Sequence, residues 1–459
     1  MIDTFIIFGA SGDLTSRYLV PALARLEQRG DLGEGVVIRG VSREPWSDED
    51  FRTHLRERLQ EHAPDIPVRT RERLLARLEY SSGDVTDSER MREVLRLEGP
   101  AVLYLALPPT LFAPALLAIR DAGLTAGSRI VIEKPFGTDL ESARRLNDLL
   151  DRSFPDCRVF RLDHFLGEQT VQNILGLRFA NRIFEPLWNS DHIERVDIVW
   201  EETLALEDRA GYYDQTGALR DMIQNHLLQL MALLAMEPPA TFSERDLRDR
   251  KAELLRAVRR LSRAEALTHT VRGRYTAGQV GGREVPAYAE EQGVNPDNQT
   301  ETFAQTTLWV DNWRWAGTPF VLRTGKALGR DRKAVHIHFR RPPHLAFEKP
   351  ACPPANVLLL TLQPDTVSLG VNINGAGDPF DLEQVDLRTD LAPQSVPAYG
   401  RLLLDVLEGD PSLSVRGDEA EEAWRIVEPI LDAWKSGEPP LLPYAAGSEG
   451  PEPLAEPIC

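Results

Sequence analysis

Cysteine is nearly missing from this chain: three in 459 residues, Cys157, Cys352 and Cys459. They are too few and too scattered for a disulfide framework or a metal site, and no metal is expected. A reducing compartment is the natural setting. The start, Met1-Ile2-Asp3-Thr4-Phe5, has no basic region and no long apolar stretch, so no signal peptide is expected. Long hydrophobic runs are missing too. Ala101 to Ile119 is broken by Pro108, Pro109 and Pro114, and Leu227 to Met236 is too short to span a bilayer. Positive charge is in deficit, with 53 Lys and Arg against 71 Asp and Glu and a formal net charge of −18. Nucleic acid and anionic membranes need basic surface, so neither is expected as a partner. A phosphorylated small molecule needs only a few local cations and is not excluded. There are no internal repeats. A soluble, cytoplasmic protein is expected.

What is present is ordinary globular material, 42% hydrophobic and 27% charged. At roughly 150 residues per domain, two or three domains are expected. The first half alternates. Thr4 to Phe8 reads as a buried strand ending in glycine, and residues 15–28 carry apolar positions at helical spacing. Val36 to Val41 is the next strand. Ser47 then caps a helix whose first turn holds Asp48, Glu49 and Asp50. Val102 to Leu107 and Ile130 to Ile132 are further buried strands. Such alternation indicates a doubly wound parallel sheet over residues 1–160. From 161 to 459 the pattern changes to an α+β domain with a mainly antiparallel sheet. A long helical stretch runs from Ala218 to Met236. Strands are expected at Thr307–Val310, Ala334–Phe339, Val357–Leu362 and Val367–Ile373, and helices near 397–408 and 418–435. The tail from Gly437, rich in Pro, Gly and Glu, is expected to be loosely ordered.

Five stretches can carry chemistry. Gly9-Ala10-Ser11-Gly12-Asp13-Leu14 lies between the first strand and the first helix. Glycines there let the backbone approach a pyrophosphate at a helix N-terminus, although a tight strand–helix turn explains the same residues. Arg43 ends the second strand, where an arginine suits the 2′-phosphate of NADP; Glu44, next to it, leaves NAD open. Glu133-Lys134-Pro135-Phe136-Gly137 ends a buried strand, and strand carboxyl ends line the ligand crevice of such sheets. Arg161 to Glu168 and Arg220 to His226 each hold one aspartate and one histidine. Oxidation of a carbinol needs a base for the hydroxyl proton, and a neutral histidine oriented by a carboxylate serves near pH 7. An Asp163–His226 pairing satisfies that need, while either histidine alone is also a reasonable structural residue.

Six segments together resemble the glucose-6-phosphate dehydrogenase family. They are Gly-Ala-Ser-Gly-Asp-Leu, Glu-Lys-Pro-Phe-Gly, Asp-His-Phe-Leu-Gly, Val-Gln-Asn with Leu-Arg-Phe-Ala-Asn, Arg-Asp-Met-Ile-Gln-Asn-His-Leu-Leu-Gln and Arg-Thr-Gly-Lys-Ala-Leu, in the family's order over nearly the whole chain. The resemblance implies a Rossmann-type coenzyme domain and a large β+α domain that assembles into a homodimer or homotetramer. It implies oxidation of a sugar at C1 to a lactone with NADP or NAD, in the pentose phosphate pathway. It makes His226 the base, Asp163 its carboxylate partner and Lys134 a neighbour of substrate and nicotinamide. Gly9, Ser11, Gly12, Asp13, Leu14, Arg43 and Lys134 become the coenzyme residues. His164, Phe165, Glu168, Glu202, Asp221, Lys326 and Gln363 fall at positions that hold the sugar or its phosphate.

The departures from the family bear on the substrate. Its Asp-His-Tyr-Leu-Gly-Lys is Asp163-His164-Phe165-Leu166-Gly167-Glu168 here. A family lysine after the glycine turn aligns with Tyr18, beside Arg17, and a basic residue five past the Gly-Lys aligns with Asp331, between Arg330 and Arg332. A glutamate for a lysine beside a phosphate should cost several kcal/mol. An unphosphorylated or amino sugar is therefore the alternative substrate, and a non-catalytic paralogue the alternative role. Arg17, Arg330 and Arg332 are the cations that could restore phosphate binding.

Overall fold

Six short runs form the first sheet: β1 (Thr4–Phe8), β2 (Val37–Ser42), β3 (Leu78–Ser82), β4 (Ala101–Leu105), β5 (Arg129–Glu133) and β6 (Arg158–Leu162). The structure is a computed structural model. It describes residues 2–155, 158–207, 210–347, 353–378, 380–392, 394 and 396–451. The three cysteines and the last eight residues of the tail lie outside that description. All pairings in the first sheet are parallel and its order is β3-β2-β1-β4-β5-β6. The order reverses between β1 and β4, the switch point at which such sheets bind dinucleotides. Every residue of β4 is buried, as a parallel strand covered on both faces requires. Ser47 caps the helix Asp48–His62 through a reciprocal bond with Asp50.

The chain divides into two units, and the division is not a single cut in sequence. The first comprises Met1–Glu168, Pro239–Asp249 and Gln394–Glu421; the second comprises Gln169–Pro238, Arg250–Pro393 and Glu422–Cys459. The late return to the first unit has an apolar cause. In the helix Ala398–Glu408, Leu402, Leu403 and Val406 are fully buried in the same core as Phe5, Ile7 and Leu23. Each such side chain contributes about 2 kcal/mol of burial.

The second unit is built on a nine-stranded mixed sheet. Its strands, in sequence, are β7 (Ile193–Glu201), β8 (Thr270–Thr276), β11 (Phe303–Trp309), β12 (Pro319–Gly325), β13 (Arg332–Phe339), β14 (Val357–Leu362), β15 (Asp365–Asn374), β16 (Leu382–Asp390) and β17 (Leu441–Ala445). The short strands β9 (Gly278–Val280) and β10 (Arg283–Val285) form a separate hairpin. The sheet order is β16-β15-β14-β13-β7-β12-β11-β8-β17. Only β7–β12 and β8–β17 pair in parallel, so the sheet is mainly antiparallel, as expected. The long helical stretch after Ala218 begins with wide turns over Leu219–Leu227 and tightens over Leu228–Ala235.

The tail departs from expectation. Leu441–Ala445 forms an ordered strand rather than a loose end. Tyr444 is the cause: its ring is buried and its hydroxyl donates to the Lys326 carbonyl at 2.8 Å. No helix among the described residues is long and apolar enough to cross a membrane.

Candidate active site

In the first unit, the glycine turn is set by backbone geometry. Gly9 has φ +85°, and a Cβ there would lie 2.2 Å from the Ala106 carbonyl oxygen, so only glycine fits. The Gly12 N–H donates to the Gly9 carbonyl at 3.0 Å, and the helix begins at Asp13. The Ser11 N–H and hydroxyl both donate to Ser42 Oγ, at 3.1 and 3.2 Å, which ties the turn to the end of β2. Arg43 follows Ser42 and is exposed. Leu14 is half-buried against the core, whereas Asp13 is exposed and ion-paired with Arg17 at 2.6 Å. A bare glycine turn at a helix start, with an exposed arginine past the neighbouring strand, is a donor set that fits a phosphorylated dinucleotide.

The ends of β5 and β6 carry the next group. Their register pairs Glu133 with Leu162, so Lys134 and Asp163 follow from adjacent strands. Lys134 precedes a cis peptide bond to Pro135, and Gln363 one to Pro364. Glu133 is buried, and the Tyr104 hydroxyl donates to its carboxylate. Burial pushes its pKa up to about 7; the Tyr104 hydrogen bond and Lys134 pull it down, and Asp163 pushes it further up. Asp163 is itself 0% exposed and caps the short turn His164–Gly167 by accepting the Phe165 N–H at 3.0 Å.

That turn is clamped from the returning segment. A Cβ on Gly167 would lie 2.6 Å from the Ala398 carbonyl oxygen, and Gln394 Nε2 donates to the Gly167 carbonyl at 2.9 Å. The His164 ring stacks on Tyr399 at 5.6 Å and 10°, and Tyr399 lies 5.3 Å from Tyr18. Phe165 is buried edge-on to His164 at 5.0 Å. Glu168 is half-buried, and its N–H closes the turn on the Phe165 carbonyl at 3.1 Å.

In the second unit, Gly217 at φ +72° breaks the helix before residue 219. Buried Glu301 accepts the Leu219 N–H at 3.0 Å and so anchors the wide-turned segment, a geometry frequent at functional sites. That segment bears Asp221, half-buried, and His226, only 1% exposed. The His226 N–H donates to Asn225 Oδ1 at 2.6 Å, and Asn225 Nδ2 donates to the Arg220 carbonyl at 3.0 Å. Burial first, and the Asp221 charge second, push the Tyr213 hydroxyl well above the ordinary tyrosine pKa.

Just past the ends of β7 and β12, Glu202 and Lys326 form an ion pair at 2.7 Å. Lys326 also lies 5.4 Å from the centre of the Tyr213 ring. Burial pushes the Glu202 carboxyl up, but Lys326 and the hydrogen bonds outweigh it, and its pKa is lowered.

The cations raised as replacements in the phosphate site are all engaged. Arg17 pairs with Asp13, Arg330 with Glu449 at 3.0 Å, and Arg332 with Glu201 at 2.9 Å. Asp331 accepts the Thr203 N–H at 2.9 Å and so serves its own loop. Sequence reasoning passed over Tyr104, Glu133 and Tyr399, and in the second unit Trp200 and Lys333. Glu133 had a signal: an acid inside a quoted motif, at the end of an apolar strand.

Fold and residues together define a two-unit protein with a dinucleotide-binding sheet, and the class is that of Rossmann-type coenzyme-dependent dehydrogenases. The model of the "Glucose-6-phosphate dehydrogenase, NAD binding domain" matches residues 6–173, and that of the C-terminal domain matches residues 175–458. The glucose-6-phosphate 1-dehydrogenase of Treponema pallidum is 44% identical over 97% of this chain and 92% of its own. That of Gluconobacter oxydans is 41% identical over 98% and 94%. A solved glucose-6-phosphate dehydrogenase in complex with glucose-6-phosphate superposes with a TM-score of 0.89 at 32% identity, covering 99% of this chain and 96% of the other. The Mycobacterium avium enzyme gives 0.85 at 37%, covering 98% and 95%. The chain belongs to the glucose-6-phosphate dehydrogenase family.

Proposed function

We propose that the protein oxidises glucose 6-phosphate at C1 to the lactone, with NADP as coenzyme. The observation that carries the reading is the full-length match to the family together with the quoted residues standing in ordered turns. The relatives named above are glucose-6-phosphate dehydrogenases, which weighs against an unphosphorylated or amino sugar as the natural substrate.

Gly9, Ser11, Gly12, Asp13 and Leu14 would hold the pyrophosphate, and Arg43 the 2′-phosphate. When bound, the nicotinamide supplies the hydride acceptor. His226 accepts the proton of the C1 hydroxyl, and the Asp163 carboxylate stabilises the imidazolium that forms. Lys134 donates to the substrate. His164, Glu202, Asp221, Lys326 and Gln363 orient the sugar, with Phe165 and Glu168 along the same turn as His164. The exposed Ile373, Phe380 and Leu387 on and beside the outer strands β15 and β16 support assembly through the sheet as a homodimer or homotetramer. The site of action in this reading is the cytoplasm.

The test is an assay of the purified chain with NADP and NAD against glucose 6-phosphate, glucose and glucosamine. Highest efficiency is expected with glucose 6-phosphate and NADP. Turnover of glucose or glucosamine alone would overturn the substrate, and a chain inert toward all three would overturn the activity.

A further inference from the structure

Strand register sorts the cations around β13 into two faces. Arg332 stands opposite Glu201 on β7, and Lys333 opposite Trp200. Neighbouring side chains point to opposite faces of a sheet. On one face Glu201, 2% exposed at its side chain, is held between Arg323 and Arg332. Arg332 is thereby committed away from the face that bears Trp200.

On that other face a continuous chain of contacts runs. Lys326 Nζ donates to Glu202 Oε2 at 2.7 Å, and Trp200 Nε1 donates to Glu202 Oε1 at 3.3 Å. Lys333 Nζ lies 4.7 Å from the centre of the Trp200 ring and donates to Gln363 Oε1 at 2.7 Å. Glu202, Lys326 and Gln363 are among the sugar residues of the second unit in the function proposed above. Lys333 is bonded to one of them and lowers the pKa of another, Glu202, as a minor contributor after burial and Lys326. An ammonium has three donors, and Gln363 takes one. Asp331, two residues earlier on the strand side of the loop, brings a negative charge instead and is turned to Thr203.

We infer that Lys333 is a specificity-determining residue: with Lys326 it takes the anionic group of a phosphorylated sugar, at a point where the adjacent guanidiniums cannot. A lysine suits this because its point charge serves a phosphate without a fixed approach. The inference rests on the proposed glucose-6-phosphate activity.

The experiment uses the full chain and its Lys333→Met and Lys333→Arg variants, with saturating NADP. Steady-state constants are measured for glucose 6-phosphate and for glucose. Lys333→Met should raise KM for glucose 6-phosphate at least tenfold, keep kcat within threefold, and leave glucose efficiency within twofold. Lys333→Arg should recover most of the loss. Lys333→Gln gives the same reading if the methionine variant does not fold. An unchanged KM in the uncharged variant would overturn the inference. So would equal losses on both sugars, since those mark a structural role through Trp200. A parent that fails to oxidise glucose 6-phosphate would instead overturn the proposed function itself, and is seen before any variant is made.

Discussion

The acids of the two units are held in opposite ways. In the first unit, Glu133 and Asp163 lie buried near each other, and the Tyr104 hydroxyl donates to Glu133. In the second, Glu201 sits between Arg323 and Arg332, and Glu202 is paired with Lys326. For Glu133 burial outweighs the Tyr104 hydrogen bond and the Lys134 charge, and the pKa rises to about 7. For Glu202 the Lys326 charge outweighs burial and the pKa is lowered. In the first unit Glu133 is thus a carboxyl that pH can titrate, whereas Glu202 of the second is governed by its charge partner.

Removing one of the proposed proton-transfer residues from each unit tests the contrast most severely. His226→Asn should lower turnover by about 10²–10⁴, the usual loss of a general base. Asp163→Asn should act in the same direction. If the two serve one proton transfer, the double variant should be little worse than His226→Asn alone. Multiplicative losses in kcat would show that they act independently.

Glu133 gives the next largest effect, and its sign follows from linkage. Its folded pKa of about 7 lies above the ordinary 4.5. Between those values the folded protein holds a proton that the unfolded chain has released, so stability falls as pH rises through that window and is lowest above it. The loss amounts to about 3 kcal/mol for this fully buried group. Glu133→Gln keeps an acceptor for Tyr104 and cannot ionise. It should therefore be more stable than the parent at pH 8 by up to about 3 kcal/mol, and nearly equal to it at pH 5. Denaturant unfolding at both pH values measures the difference. Asp405, also raised to about 7 by burial, titrates in both proteins and cancels. An equal gap at pH 5 and pH 8 would remove the poised carboxyl from the picture.

The same contrast separates what the sequence made legible from what it hid. The Gly9–Gly12 turn and the Ser47 cap are local, formed by residues a few positions apart, and their composition announces them. Tyr399 could not be found that way. Its place over His164 depends on a helix that returns to the first core because Leu402, Leu403 and Val406 are apolar. Leu441–Ala445 was hidden for the same reason: its partner β8 is remote in sequence. Arg332 and Lys333 read alike as consecutive basic residues. Only the register of β13 on β7 sends one to Glu201 and the other toward Gln363.

Coenzyme choice is a smaller effect, confined to the edge of the first unit. Arg43 is exposed at the end of β2, so a charge-assisted contact there is partly screened. Arg43→Ala should raise KM for NADP by about 10-fold, the scale of one hydrogen bond to a charged group, and leave KM for NAD within twofold. Equal shifts for both coenzymes would exclude Arg43 as the discriminator.

Glu168 should give the smallest change, and it bears directly on the contrast because it is an acid where the family carries a lysine. Its backbone N–H closes the His164 turn on the Phe165 carbonyl. The exchange Glu168→Lys keeps that backbone bond while moving the local charge by two units. A half-buried group keeps much of its water, and ion pairs at such places contribute only about 1 kcal/mol or less. Several kcal/mol of repulsion, the figure for close charges out of water, is thus too large here. KM for glucose 6-phosphate should fall by about three- to fivefold in low salt, and the gain should vanish near 0.5 M salt, where the screening length is only a few Å. KM for glucose should not move in either condition. A gain that persists in high salt would mean the lysine makes a direct, desolvated contact with the phosphate. No gain at either salt would mean that the second unit, through Lys326 and Lys333, already neutralises the anion unaided.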